Sequence, residues 1–111
     1  SLKAHGGAMQ FNETGNYVKI DTPIDFTANN QLLVEGWVNL SKVNANNFQT
    51  IFRQDGDGDN LHIRFDTSIP KIEIINTING TDYIMDYNIT INNYLHTWKH
   101  IAVNMDGNSS I

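Results

Sequence analysis

Apolar and polar residues alternate with a period of two along most of this chain, and this alternation restricts the fold more than any other feature. Leu61, Ile63 and Phe65 alternate with polar side chains, as in a strand with one buried face. The run 101–105 repeats the pattern. No segment has the i, i+3, i+4, i+7 stripe of an amphipathic helix, and the best helical candidate is one turn around residues 92–95. The sequence therefore predicts an all-β protein.

Turn residues separate the strand-like runs. Asn79-Gly80 lies between two of them, and Asn-Gly is the strongest two-residue hairpin signal because both positions tolerate positive φ. The run 55–59, rich in glycine and aspartate, separates two more. Elements that recur every ~8–12 residues are typical of a two-sheet sandwich. We expect an antiparallel two-sheet sandwich or jelly roll that forms a single domain over residues 1–111.

Shorter patterns predict three further strands and a core. Val18 and Ile20 flank a lysine, residues 34–40 alternate, and residues 69–78 are rich in β-branched side chains. We expect the two tryptophans to anchor the packing within the sandwich, because large aromatic side chains dominate cores. The residues expected in the core are Trp37, Trp98, Phe11, Val34, Val38, Ile63, Phe65, Ile101 and Val103.

The composition excludes several classes of function. The net charge is −5 with seven basic residues, and these are scattered, so no basic face is available for nucleic acid. The chain has no cysteine, which rules out disulfides, thiolate zinc sites and cysteine nucleophiles. No apolar run approaches the ~18–20 residues that cross a bilayer. We therefore expect no nucleic-acid partner and no membrane span within this sequence.

The densest chemical signal is the run from Asp55 to Asn60. Asp55, Asp57 and Asp59 alternate with glycines, and carboxylates on a flexible loop are ligands that Ca²⁺ accepts. The run departs from an EF-hand loop because Asn60 stands where that loop needs glycine. The alternative is a polar hairpin loop whose glycines and aspartates supply the turn. Calcium is the only cofactor that the sequence suggests.

Tyr83 and Tyr87 are the candidates for stacking on sugar rings. They share strand parity with Met85, so packing in the core is the alternative interpretation. Catalytic patterns are weaker. No Glu-x-Asp-x-x-Glu or Glu-x-Asp-x-Glu pattern surrounds the three glutamates, and no serine lies in a Gly-x-Ser-x-Gly context. We expect the protein not to be an enzyme.

Several segments in order carry a family resemblance: 8–12 with 17–20, 34–38, 50–53 with 61–65, and 98–103 with 106–107. Val-Glu-Gly-Trp-Val at 34–38 resembles a Val-Glu-Ala-Trp-Val strand, and Trp98-Lys99-His100 resembles Trp-His-His, with Lys99 departing. Together they resemble the laminin-G-like, concanavalin A-like jelly-roll family. Its domains usually continue after the Asp-Gly, so the chain resembles the first two thirds of one, apparently truncated at the C-terminus.

The resemblance implies a non-enzymatic recognition module of a secreted or cell-surface protein. Family members bind carbohydrate or glycoprotein ligands, and many hold Ca²⁺. The leading hypothesis is thus a carbohydrate-binding or adhesion module that is extracellular. The alternative is an interaction domain that packs on a neighbouring domain or self-associates, since missing strands would expose sheet edges. A third, more distant hypothesis is a glycosidase whose catalytic carboxylates lie beyond Ile111.

Overall fold

The computed structural model describes residues 8–11, 16–22, 31–43, 48–56 and 59–106. Within these ranges the chain forms six strands and one short 3-10 helix, in the order β1 (Gln31–Val38), β2 (Phe48–Gln54), β3 (Asn60–Asp66), β4 (Lys71–Ile78), β5 (Thr81–Asn88), the 3-10 helix Ile91–Asn93 and β6 (Lys99–Asp106). The one-turn helix lies close to where the sequence places it. No helix of the described residues is long and apolar enough to span a membrane.

The strands form two antiparallel sheets. Strands β2, β3, β4 and β5 make a four-stranded meander in chain order, while β1 pairs with β6. The β1–β6 ladder runs from Gln31 opposite Asp106 to Val38 opposite Lys99. This architecture confirms the prediction of an all-β jelly-roll sandwich with two antiparallel sheets.

The hydrophobic core lies between the two sheets. Period-two alternation turns every second residue of β3, β4 and β6 toward it. Its buried members are Leu61, Ile63, Phe65, Ile72, Ile74, Val103 and Met105. The partly buried residues Val34, Val38 and Ile101 pack against this cluster. Six of the predicted core residues are therefore correct: Val34, Val38, Ile63, Phe65, Ile101 and Val103.

Three predicted core residues are instead exposed. Trp37 is 66% exposed, Phe11 55% and Trp98 52%. For Trp37 the reason is the parity of β1. Val34 and Val38 face the core, and Trp37 is three positions after Val34 and one before Val38, so its side chain points to the opposite face of the sheet. The indole therefore lies on the outer face of the β1–β6 sheet, and its prediction as a core anchor is wrong.

The predicted strand around Val18 and Ile20 is also absent. Residues 16–20 have no regular secondary structure, and both side chains are exposed. Alternation over only three residues, with no described strand beside them, does not provide the backbone partners that a strand requires.

The predicted hairpin at Asn79-Gly80 is present and joins β4 to β5. Asn79 has φ 49° and Gly80 has φ 76°, so both turn residues are left-handed, as a two-residue hairpin requires. The Asn79 backbone N–H donates to Asp59 Oδ1 at 2.9 Å. A side chain from the loop before β3 therefore holds the turn between β4 and β5.

The segment after the 3-10 helix links the meander to the chain beyond β1. Leu40 N–H donates to the Tyr94 carbonyl at 3.3 Å, and His96 N–H donates to the Leu40 carbonyl at 2.8 Å. The ring of Tyr94 packs edge-on against Phe65, with centroids 5.7 Å apart. These contacts fix the position of the segment against the core.

Candidate ligand-binding site

The two candidate tyrosines lie on β5, which is one of the two edge strands of the four-stranded sheet among the described residues. Tyr83 is opposite Asn76 and Tyr87 is opposite Ile72 on β4. Since Ile72 is a core residue, both tyrosines lie on the core-side face of the sheet. Met85, between them, is partly buried and packs against the core.

Both tyrosine rings nevertheless remain accessible to solvent. Tyr83 is 51% exposed and Tyr87 is 64% exposed. In the described part of the chain the second sheet has two strands and the first has four, so the smaller layer does not cover the edge strand. The structure thus keeps the parity expected from the sequence but leaves both rings outside the core.

The spacing of the tyrosines defines what they can bind. Four residues along an antiparallel strand separate two Cα atoms by ~13 Å, longer than one sugar ring. A tyrosine offers an apolar face for C–H groups and a phenolic hydroxyl for hydrogen bonding. Asn76, opposite Tyr83, adds an amide on the same face. The pair and Asn76 therefore present apolar and polar groups on one face, over a length that exceeds one sugar ring.

The aspartate-rich loop is held by contacts within the protein. Arg53 Nε donates to both carboxylate oxygens of Asp55, at 2.9 and 3.0 Å. The Gly56 N–H donates to Asn60 Oδ1 at 2.8 Å. A Cβ on Gly56 would lie 2.8 Å from the Asp59 carbonyl oxygen, so only glycine fits this close approach. These contacts are sufficient to hold the loop in its turn conformation.

The calcium assignment stays a prediction. Asp57 lies outside the described residues, and Asp59 already accepts the Asn79 N–H. Among the residues that the structure does describe, no three His, Asp or Glu side chains are grouped to hold a metal ion. Asp55 accepts from Arg53 at both oxygens and Asp59 accepts from Asn79 at Oδ1, and each carboxylate has further lone pairs that could bind a cation.

A network of ion pairs lies on the outer face of the four-stranded sheet. Glu73 Oε1 is 2.6 Å from an Arg64 terminal nitrogen, and Glu73 Oε2 is 3.0 Å from Lys71 Nζ. Lys71 Nζ also donates to Asp86 Oδ2 at 3.1 Å. Arg64 stacks on the Phe48 ring, with Cζ 3.6 Å from its centroid. The network joins all four strands of the sheet.

The network shifts the protonation of its members. Burial opposes ionisation of Glu73, but hydrogen bonds from Lys71 and Arg64 outweigh it and lower the pKa of Glu73. Hydrogen bonds to Glu73 and Asp86 raise the pKa of Lys71. Both groups are therefore held in their charged forms, as expected where opposite charges meet. Because these charges are paired across neighbouring strands, the network holds the strands of the sheet together.

The exposed indole of Trp37 belongs to a second surface on the β1–β6 sheet. Its ring lies 5.3 Å from that of His100 on β6, and His100 Nε2 is 3.8 Å from Glu35 Oε2. Leu33 is exposed on the same face. The sequence analysis did not predict this surface, because it assigned Trp37 to the core on the basis of the size of the indole. The alternation of Trp37 with Val34 already indicated that its side chain lies on the outer face.

The family follows from comparison with known proteins. A laminin-G-type family model, described as the concanavalin A-like lectin/glucanases superfamily, matches residues 12–111. The match covers most of the chain, and the two-sheet fold agrees with it, so the protein belongs to this superfamily. Comparisons with curated proteins and with solved structures gave no match. The family description names both lectins and glucanases. It therefore defines the fold, and the ligand has to be inferred from the residues of the site.

Proposed function

We propose that this domain binds carbohydrate and acts as a non-enzymatic recognition or adhesion module of an extracellular protein. The observation that carries the proposal is the exposure of Tyr83 and Tyr87 on one face of an edge strand. Jelly-roll membership supports it, because the superfamily includes lectins. Exposed aromatic rings flanked by polar groups are suited to ligands with one apolar and one polar side.

The tyrosine pair would bind an extended glycan rather than a single sugar. Each ring stacks on one sugar, and the amide of Asn76 and the phenolic hydroxyls satisfy sugar hydroxyl groups. An open surface buries little ligand area, so we expect weak binding by one module. The net charge of −5 disfavours acidic glycans, and neutral oligosaccharides are the favoured class.

The test is a glycan-array screen of the wild-type chain and single alanine variants, run with calcium and with chelator. Tyr83→Ala and Tyr87→Ala should each abolish or strongly weaken binding, while Trp37→Ala, an exposed aromatic on the other sheet, should not. Tyr83→Phe should retain most of the affinity if stacking dominates. Loss in Trp37→Ala alone would contradict the site, and no glycan binding by the wild type would contradict the function.

The calcium arm of the screen tests the aspartate loop. Binding that disappears with chelator and in Asp57→Asn would support a calcium site at Asp55, Asp57 and Asp59. Binding unchanged by chelator would remove calcium from the proposal and leave the lectin. Incubation of the bound glycans with protein, followed by analysis of chain length, tests the absence of turnover. Shortened glycans would contradict the non-enzymatic assignment.

A further inference from the structure

The outer face of the β1–β6 sheet presents an aromatic ring beside a carboxylate. Trp37 and Glu35 are two positions apart on β1, so their side chains point to the same face. The Cα atoms of residues two apart on a strand are separated by about 6.7 Å. Both side chains are more than half exposed. The ring and the carboxylate are therefore available to one ligand at the same time.

The carboxylate of Glu35 has no close cationic partner in the described part of the chain. Its closest ion-pair contact is with His100 Nε2, which is 3.8 Å from Oε2, longer than a hydrogen bond. An imidazole is also a cation only when it is protonated. Lys99 precedes His100 on β6, but it lies opposite Val38 and its Nζ lies 5.9 Å from the centroid of the Tyr94 ring. A negative charge beside an exposed indole is therefore left without a strong partner.

The four-stranded sheet shows which group completes such a pair of side chains. There the guanidinium of Arg64 stacks on Phe48, with Cζ 3.6 Å from the ring centroid, while a terminal nitrogen is 2.6 Å from Glu73 Oε1. A guanidinium can make both contacts at once because it is planar, with its donors in the plane and its face free to stack. Trp37 and Glu35 supply the ring and the carboxylate of the same arrangement, without the arginine.

We propose that the outer face of the β1–β6 sheet binds an arginine side chain of a partner protein. The guanidinium stacks on the indole of Trp37, the ring that attracts cations most strongly, and donates to the carboxylate of Glu35. Leu33 is exposed on the same face and offers an apolar contact to a residue beside the arginine. The net charge of −5 attracts a basic partner at longer range. This site is on a different sheet from the tyrosine pair and does not depend on sugar binding.

The first test is a titration of the wild-type chain with N-acetyl-arginine amide, followed by NMR of the indole N–H signals. The chain has two tryptophans, and Trp98, exposed outside the strands, is the control within the same spectrum. Trp37→Phe assigns the two signals. We expect a saturable shift of the Trp37 signal and little change at Trp98. N-acetyl-citrulline amide, which has a similar shape without the charge, should shift neither. An unchanged Trp37 signal, or equal shifts of both signals, would overturn the proposal.

Substitutions separate the contribution of the carboxylate from that of net charge. Glu35→Gln removes the charge and keeps the shape, and we expect it to weaken binding of N-acetyl-arginine amide about two- to fivefold, as for an exposed ion pair. Asp86→Asn is the matched control, because it removes one charge from an exposed carboxylate on the other sheet. It should leave the affinity unchanged. Equal weakening by both variants would mean that net charge attracts the arginine, and would overturn the site.

A peptide array tests whether arginine within a protein segment is what this face recognises. The wild-type chain should favour peptides that contain arginine beside an apolar residue over the same peptides with lysine, and Glu35→Gln should lose this preference. No preference for arginine over lysine would overturn the proposal. Tyr83→Ala should bind the same peptides as the wild type. A chain that binds these peptides and no glycan would contradict only the proposed function, so the two failures are distinguishable.

Discussion

Phe65 and Trp37 are both large aromatic residues on strands, yet they occupy opposite environments. Phe65 is 2% exposed and packs against Tyr94 between the sheets. Trp37 lies on an outer face beside His100. Side-chain size therefore does not decide burial here. The parity of each residue relative to its neighbours decides it, because successive side chains of a strand point to opposite faces.

Alanine substitutions should separate the two aromatic residues by stability. Phe65→Ala leaves a cavity in the core, and we expect the free energy of unfolding to fall by about 3–5 kcal/mol. Trp37→Ala removes an exposed ring, and we expect a change below about 1 kcal/mol. Urea denaturation of both variants measures the difference. Equal losses would mean that Trp37 is covered by protein in solution.

At the scale of elements, the β4–β5 hairpin depends on its turn. Gly80 and Gly36 are a matched pair, because neither has an atom within 4 Å of a built Cβ, and only Gly80 has positive φ. Gly80→Ala should therefore destabilise the protein by about 1 kcal/mol through backbone strain, while Gly36→Ala should be neutral or stabilising through reduced freedom of the unfolded chain. Thermal unfolding of the two variants tests the contrast. A loss of equal size at Gly36 would place the cause outside backbone conformation.

The strands were predictable from sequence where alternation was long and the turn chemistry was specific. Leu61, Ile63 and Phe65 defined β3 and its buried face, and Asn79-Gly80 located the hairpin between β4 and β5. The outer-face network was not predictable, since the contact of Arg64 with Glu73 depends on which strands are neighbours and in which register. Alternation within one strand contains no information about that pairing.

The candidate site was predictable only in part. The shared parity of Tyr83 and Tyr87 placed both rings on the core-side face. Their exposure follows from the number of strands in the opposite layer, which local sequence does not specify. The alternation of Trp37 with Val34 and Val38 predicts that its side chain points outward. The prediction of a buried anchor was instead based on the size of the indole.

At the scale of the whole molecule, acid should weaken the fold. A Ser68 hydrogen bond lowers the pKa of Asp66, and Lys71 and Arg64 lower the pKa of Glu73 against the effect of burial. A carboxyl group whose pKa is lower in the folded than in the unfolded state stabilises the fold when the pH is above its unfolded-state pKa, which is about 4 for these groups. This stabilisation is lost as the pH falls through the folded-state pKa. The urea concentration at the midpoint of unfolding should therefore decrease as the pH is lowered below about 4.

A charge-removing variant is the control for this acid sensitivity. Glu73→Gln keeps the shape of the side chain but cannot titrate, so its urea midpoint should start lower at neutral pH and decline less steeply with acid. Asp86→Asn removes a more exposed partner of Lys71, and exposed pairs contribute little, so it should resemble the wild type. Parallel declines in all three proteins would show that Glu73 does not contribute to the effect.

The pairing of β1 with β6 determines how the domain responds to tension. Gln31 lies opposite Asp106 at one end of the ladder, so these two strand ends are adjacent. A force that pulled Gln31 and Asp106 apart would load the backbone hydrogen bonds of the ladder one pair at a time, rather than shearing the whole ladder at once. The β1–β6 ladder would therefore open at low force from this end.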